Sequence, residues 1–149
     1  APPEVIRKLV LAKQGSDLHT ATFNQVVAYE VGRHGFLDQH VKKICDIYRE
    51  RRDVMLEALE EHMPDGVTWT HPEGGLFLWA RLPESCDATM MFPAAVKNKV
   101  AYVPGESFHP NGGGKNTMRL NFSYSNPEKI NEGIARLGKM LKEEIREQY

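Results

Sequence analysis

Cysteine is scarce in this chain, with only Cys45 and Cys86 among 149 residues. They stand far apart, one in a helical pattern and one near a loop, so they make neither a CxxC pair nor a disulfide framework. A reducing, cytoplasmic setting is the default that follows. A surplus of either charge is missing too. The formal net charge is −1, whereas a nucleic-acid partner would require a concentrated basic excess. No apolar run approaches the roughly 20 residues that span a bilayer, and no stretch has the make-up of a secretory signal, so no membrane partner is expected. The six histidines include no HExxH and no Cys/His spacing, so no metal site is expected. Nothing reads as a Ser/His/Asp triad. Gly112-Gly113-Gly114-Lys115 lacks the rest of a phosphate loop, because His109 stands where its first glycine belongs and Asn116 where Ser or Thr belongs. A flexible surface loop is the better reading. Repeats and low-complexity tracts are absent.

What is present suits one globular domain of ordinary size, with 41% apolar and 26% charged residues. The chain starts without Met, straight into an amphipathic helix, as a piece of a longer polypeptide would. Pro2 or Pro3 opens that helix, Ile6, Leu9 and Val10 give it an apolar face, and it ends near Gly15. A polar turn, Ser16–Thr20, precedes a second helix from Thr22, punctuated by Gly32 and Gly35. Asp38 is placed to cap a long third helix with Val41, Ile44, Cys45, Tyr48, Met55 and Leu59 on its buried stripe, stopped by Met63-Pro64-Asp65-Gly66. Two strand-like runs, 67–71 and 76–82, flank Pro72-Glu73-Gly74-Gly75 and read as a hairpin. Asp87–Lys99 is a helix with Met91, Ala95 and Val96 inward, either kinked at Pro93 or starting late. After two further strands, Ile130, Ile134, Leu137, Leu141 and Ile145 mark a last helix, with Ser125 and Glu128 as a capping box. The order is ααα-ββ-α-β-β-α, an α+β plan with a small sheet under helices.

The segment 103–134 organises the rest. Val100–Val103 stops at Pro104-Gly105, a glycine-rich loop follows, and Thr117–Ser123 alternates as a strand. Alternation puts Met118, Leu120 and Phe122 on one face and Arg119, Asn121 and Ser123 on the other. A guanidinium on a rigid strand can clamp a carboxylate or a phosphate through two parallel hydrogen bonds. It can equally be an exposed arginine on a solvated face. Asn121-Phe122-Ser123 matches a glycosylation acceptor, but within a predicted strand.

Four separated stretches, Ser16–Gln25, Pro72-Glu73-Gly74-Gly75-Leu76-Phe77-Leu78-Trp79, Val103-Pro104-Gly105-x-x-Phe108 and Arg119–Ser123, occur in an order and spacing that resembles a known family. They look like the C-terminal part of a fold-type I, pyridoxal-phosphate-dependent aminotransferase of class I/II, of the aminoadipate/kynurenine-type branch. The resemblance implies a small mixed sheet of about four strands covered by helices. It implies that residues 1–32 are the end of the large domain and the linker, and 33–149 the small domain. Amino-acid and 2-oxo-acid substrates, a missing N-terminal large domain and a homodimer are implied as well. So is a small domain that closes on its substrate, with Arg119 as its carboxylate clamp. Phe77 and Phe108 would line the substrate pocket, where the alternative is plain core packing. Leu18, in the turn that approaches the other subunit's active site, would be a further contact. The Schiff-base lysine and the residues holding the cofactor ring lie upstream in the family, and no lysine here follows a Ser-x-Ser run. Pyridoxal phosphate is therefore not expected to be covalently bound to these residues, and the isolated chain is expected to be inactive. Two other readings are an aminotransferase-like effector domain of a bacterial transcription regulator and a scaffold without activity.

Overall fold

A computed structural model describes residues 1–146 and divides the chain into two compact units, Ala1–Lys43 and a second that begins at Ile44. The first holds α1 (Pro3–Ser16), α2 (Thr22–Gly32) and the start of α3 (Phe36–His62). Pro3 sits in the first turn of α1, where its missing N–H costs nothing. No residue of α1 or α2 is buried. The long third helix begins two residues ahead of Asp38 and buries Met55, Ala58 and Leu59. Cys45 and Val41, expected on the buried stripe, are exposed.

In the second unit the order after α3 is β1 (Thr68–Trp69), β2 (Phe77–Arg81), α4 (Ala88–Lys97), β3 (Val103–Pro104), a 3-10 turn (Gly105–Phe108), β4 (Thr117–Asn121) and α5 (Pro127–Arg146). The element order and the α+β class agree with expectation. The sheet order is β1-β2-β4-β3 and every pairing is antiparallel, which corrects the mixed sheet that the family resemblance implied. The cause is topological: α4 carries the chain across the sheet, and β4 then slots between β2 and β3, which run the same way without pairing.

Register fixes which side chains share a face. Leu78 is opposite Leu120 and Ala80 opposite Met118, and all four are buried. They meet α3, α4 and α5 in one core that also holds Met91, Ala95, Ile130, Ile134, Leu137, Met140 and Leu141. Each Leu or Ile fully withdrawn from water contributes roughly 1.5–3 kcal/mol. Gly138 lets α5 approach the end of α3, since a Cβ there would strike the His62 carbonyl.

The caps show how local chemistry sets the helix starts. Asp87 Oδ1 accepts from the Thr89 and Met90 amides at 2.9 and 3.1 Å, so α4 does not start late, and Pro93 lies inside it. Val96, expected inward, is exposed because it stands one position beyond the Met91–Ala95 stripe. At α5 the cap is Asn126, whose Oδ1 accepts from the Lys129 amide at 3.0 Å, not the Ser125–Glu128 box. Pro127 fits the first helical position, which shifts the boundary by one residue. Tyr102 donates its hydroxyl to Ala88 O at 2.7 Å and so ties the start of α4 to the strand that follows. Burial, helped by Asp87 and Glu144, pushes the Tyr102 hydroxyl well above its ordinary pKa, which keeps it a donor.

Candidate functional site

The sheet face opposite the core carries Phe77, Trp79 and Arg81 from β2 and Arg119 and Asn121 from β4, because alternate residues point to opposite faces. Arg119 is the cross-strand partner of Trp79 on one side and of Val103 on the other. Its strand is therefore held on both edges. Asn121 bends the chain away just past the strand, its Oδ1 accepting from the Ser123 amide and hydroxyl at 2.7 and 2.8 Å.

Two phenyl rings lie against the Arg119 guanidinium. Its Cζ lies 4.1 Å from the centroid of Phe77 and 4.8 Å from that of Phe108, distances at which each ring face attracts a cation by about 0.5–2 kcal/mol. Both phenylalanines are partly open, at 37% and 43% exposure, so neither is a core residue. The N–H donors of a guanidinium radiate in its plane, and that fork suits a planar acceptor. Arg33, Arg49, Arg52 and Arg136 each pair with an acid. Arg119 is half-buried and pairs with none among the described residues. Such a cation suits an arriving carboxylate or phosphate.

The approach of Phe108 depends on Gly105. A Cβ at position 105 would fall onto Thr117 Oγ1 and come within 2.9 Å of Gly114 O, so only glycine lets the 3-10 turn lie against β4. Gly105→Ala is expected to destabilise the chain by roughly 1–3 kcal/mol, the scale of overpacking, and to pull Phe108 off Arg119. A denaturant midpoint equal to wild type would count against this account.

Of the residues singled out in the sequence, the structure brings Arg119, Phe77 and Phe108 together. Leu18 belongs to the first unit, in the turn between α1 and α2, 70% exposed. Its φ of 62° is a conformation leucine adopts only at a cost of order 1 kcal/mol or more. Two neighbours went unsingled. Trp79 packs edge-on against Phe108, ring centroids 5.4 Å apart, and His109 tilts against Trp79 at 6.4 Å while its Nδ1 lies 2.9 Å from Gly105 O. Only Trp79 had a signal in the sequence, its spacing of two from Phe77; its partnership with Arg119 needs the register.

The family model for aminotransferase class I and II matches residues 3–137. This chain belongs to that family. Aromatic-amino-acid aminotransferase 1 of Thermococcus litoralis is 56% identical over 146 residues, which cover 98% of this chain and 35% of that protein. The crystal structure of an α-aminoadipate aminotransferase from Thermus thermophilus, complexed with N-(5'-phosphopyridoxyl)-L-leucine, superposes with a TM-score of 0.90 at 42% identity, over 98% of this chain and 37% of that one. An uncharacterised HTH-type transcriptional regulator of Bacillus subtilis is 32% identical over 95% of this chain and 29% of its own length. The chain thus spans about a third of the length of the curated relatives it matches.

Proposed function

We infer that these residues are the C-terminal part of a pyridoxal-phosphate-dependent amino-acid aminotransferase and supply the clamp for the substrate α-carboxylate. The observation that carries the reading is the Arg119 guanidinium lying over the rings of Phe77 and Phe108 with no acid partner among the described residues. Arg119 would bind the carboxylate edge-on. Phe77 and Phe108 would hold the guanidinium plane, shed water from the pair and form a wall beside the substrate. Excluding water strengthens such a pair, because the charges are no longer screened. Pyridoxal phosphate, when bound, supplies the electron sink for the amino carbon. The residues gathered here, one guanidinium and aromatic rings, fit the carboxylate end of an amino acid and include neither an amine nor an acid to hold the cofactor.

On this reading residues 1–32 are the end of a large domain with its linker, 33–149 form the small domain that moves to close the site, and Leu18 reaches the other subunit of a homodimer. Amino acids and 2-oxo acids are the substrates, and the compartment is cytoplasmic, consistent with two free cysteines and no helix among the described residues long and apolar enough to cross a membrane.

The test is transamination by the full-length protein with pyridoxal phosphate, a panel of amino acids and 2-oxoglutarate. Product from none of them would sink the enzyme reading. The regulator reading is favoured by one observation, the likeness to an HTH-type regulator. It requires a basic helix-turn-helix ahead of Ala1 and specific DNA binding. Residues 1–149 expressed alone are expected to release no 2-oxo acid. Turnover, with the cofactor trapped by borohydride on one specific lysine, would overturn that.

A further inference from the structure

Arg51 and Arg52 project from α3 toward one end of the sheet and hold two backbone segments there. Arg51 Nη1 donates to Ser123 O, just past the end of β4. Arg52 Nη1 donates to Pro72 O at 3.2 Å and Glu73 O at 3.4 Å, in the loop that leads into β2. Asp53 takes the other edge of the same guanidinium, Oδ1 lying 2.8 Å from Nε and 2.6 Å from Nη2. That leaves Nη1 turned toward the loop. The Arg52 side chain is only 21% exposed, and its bond to Pro72 O is part-buried while the one to Glu73 O is open to water.

The loop has little else to hold it. Gly74 and Gly75 follow Glu73 with no heavy atom near the position of a Cβ, and Gly75 takes φ +85°. Two residues later comes Phe77, the ring stacked on Arg119. The first direct tie to β4 is the Phe122 amide donating to Leu76 O at 3.2 Å. Phe77 is thus the first residue of β2, paired with Asn121, and the short glycine-weakened segment that leads into it is held on its far side by Arg52.

We propose that Arg52 is a positioning residue: by holding the Pro72 and Glu73 carbonyls it sets where the Phe77 ring lies against Arg119, and so sets how the site ranks amino acids by side chain. This rests on the aminotransferase reading above. Arg52 touches no reacting atom and leaves the carboxylate clamp in place.

The experiment uses the full-length protein with Arg52→Ala, Arg52→Lys, Phe77→Ala and the Arg52→Ala/Phe77→Ala pair. Two readouts are taken: the crystal structure of Arg52→Ala, and kcat/KM for L-phenylalanine relative to L-alanine with 2-oxoglutarate as acceptor. The Phe77 ring should leave its place over the Arg119 guanidinium. The ratio should move by about tenfold, the scale of one lost hydrogen bond to a charged group. Arg52→Lys should restore part of it, since an ammonium can still reach one carbonyl. In the Phe77→Ala background Arg52→Ala should change the ratio less than about twofold, because residues acting through one contact are not additive. A ring that stays in place, or ratio changes that add, overturns the proposal. If the wild-type protein transaminates no amino acid of the panel, the functional reading fails; if it transaminates others but not these two, the ratio is taken on the two best substrates, and in either case the ring position in Arg52→Ala still decides the role of Arg52.

Discussion

Arg119→Ala in the full-length protein is expected to lower kcat/KM for every amino acid by on the order of 30- to several-thousand-fold, the equivalent of roughly 2–5 kcal/mol for truncating one partner of a desolvated charge pair. The loss should be common to all substrates, because the α-carboxylate is common to all of them. Arg119→Lys should recover only part, since an ammonium cannot present the planar fork of a guanidinium. Phe77→Ala and Phe108→Ala should behave differently and alter the ranking of substrates more than the shared loss. The deciding control is a series of amines that match the amino acids but lack the carboxylate. If Arg119→Ala slows the amines as much as the amino acids, Arg119 holds the sheet together and not the substrate.

Phe122→Ala is expected to produce the largest loss of stability, about 3–5 kcal/mol by the usual cost of emptying a buried phenylalanine site. Phe122 is 1% exposed and follows directly on β4. Its amide also closes the sheet end through Leu76 O. Phe77→Ala removes the same ring from a position 37% exposed, so its stability cost should be much smaller. A denaturant titration of both variants checks the pair. Equal losses would mean that the Phe77 ring belongs to the core and that the open site drawn around Arg119 is wrong. The comparison is informative because residue type is held constant while burial differs.

By itself the sequence determined the elements whose signal is local. The period of α5 is carried by Ile130, Ile134, Leu137 and Leu141, all buried as their spacing requires. The alternation of β4 separates Met118, Leu120 and Phe122 from Arg119, and burial follows that division. Pro104-Gly105 ends a strand and opens a turn because proline removes a donor and glycine has no side chain to place. Boundaries were less legible. Which of Ser125 and Asn126 caps α5 depends on one turn of backbone, and both side chains can do it. Outward Val96 and the exposed positions of α3 show the same limit, since a helical stripe does not say how wide a face its neighbours will cover.

Only the tertiary structure decided that Phe77, Phe108 and Arg119 meet. They come from β2, a 3-10 turn and β4, and their contact depends on a register in which Trp79 faces Arg119. Nothing local distinguishes that register from one shifted by two residues, which would keep every face and move every neighbour. The antiparallel sheet has the same origin, for it arises when β4 enters between β2 and β3, an order no single segment encodes. Arg52 was invisible for a related reason. On its helix it reads as one more charge on a solvated face, and only the arrival of the Pro72–Glu73 carbonyls makes it a tether.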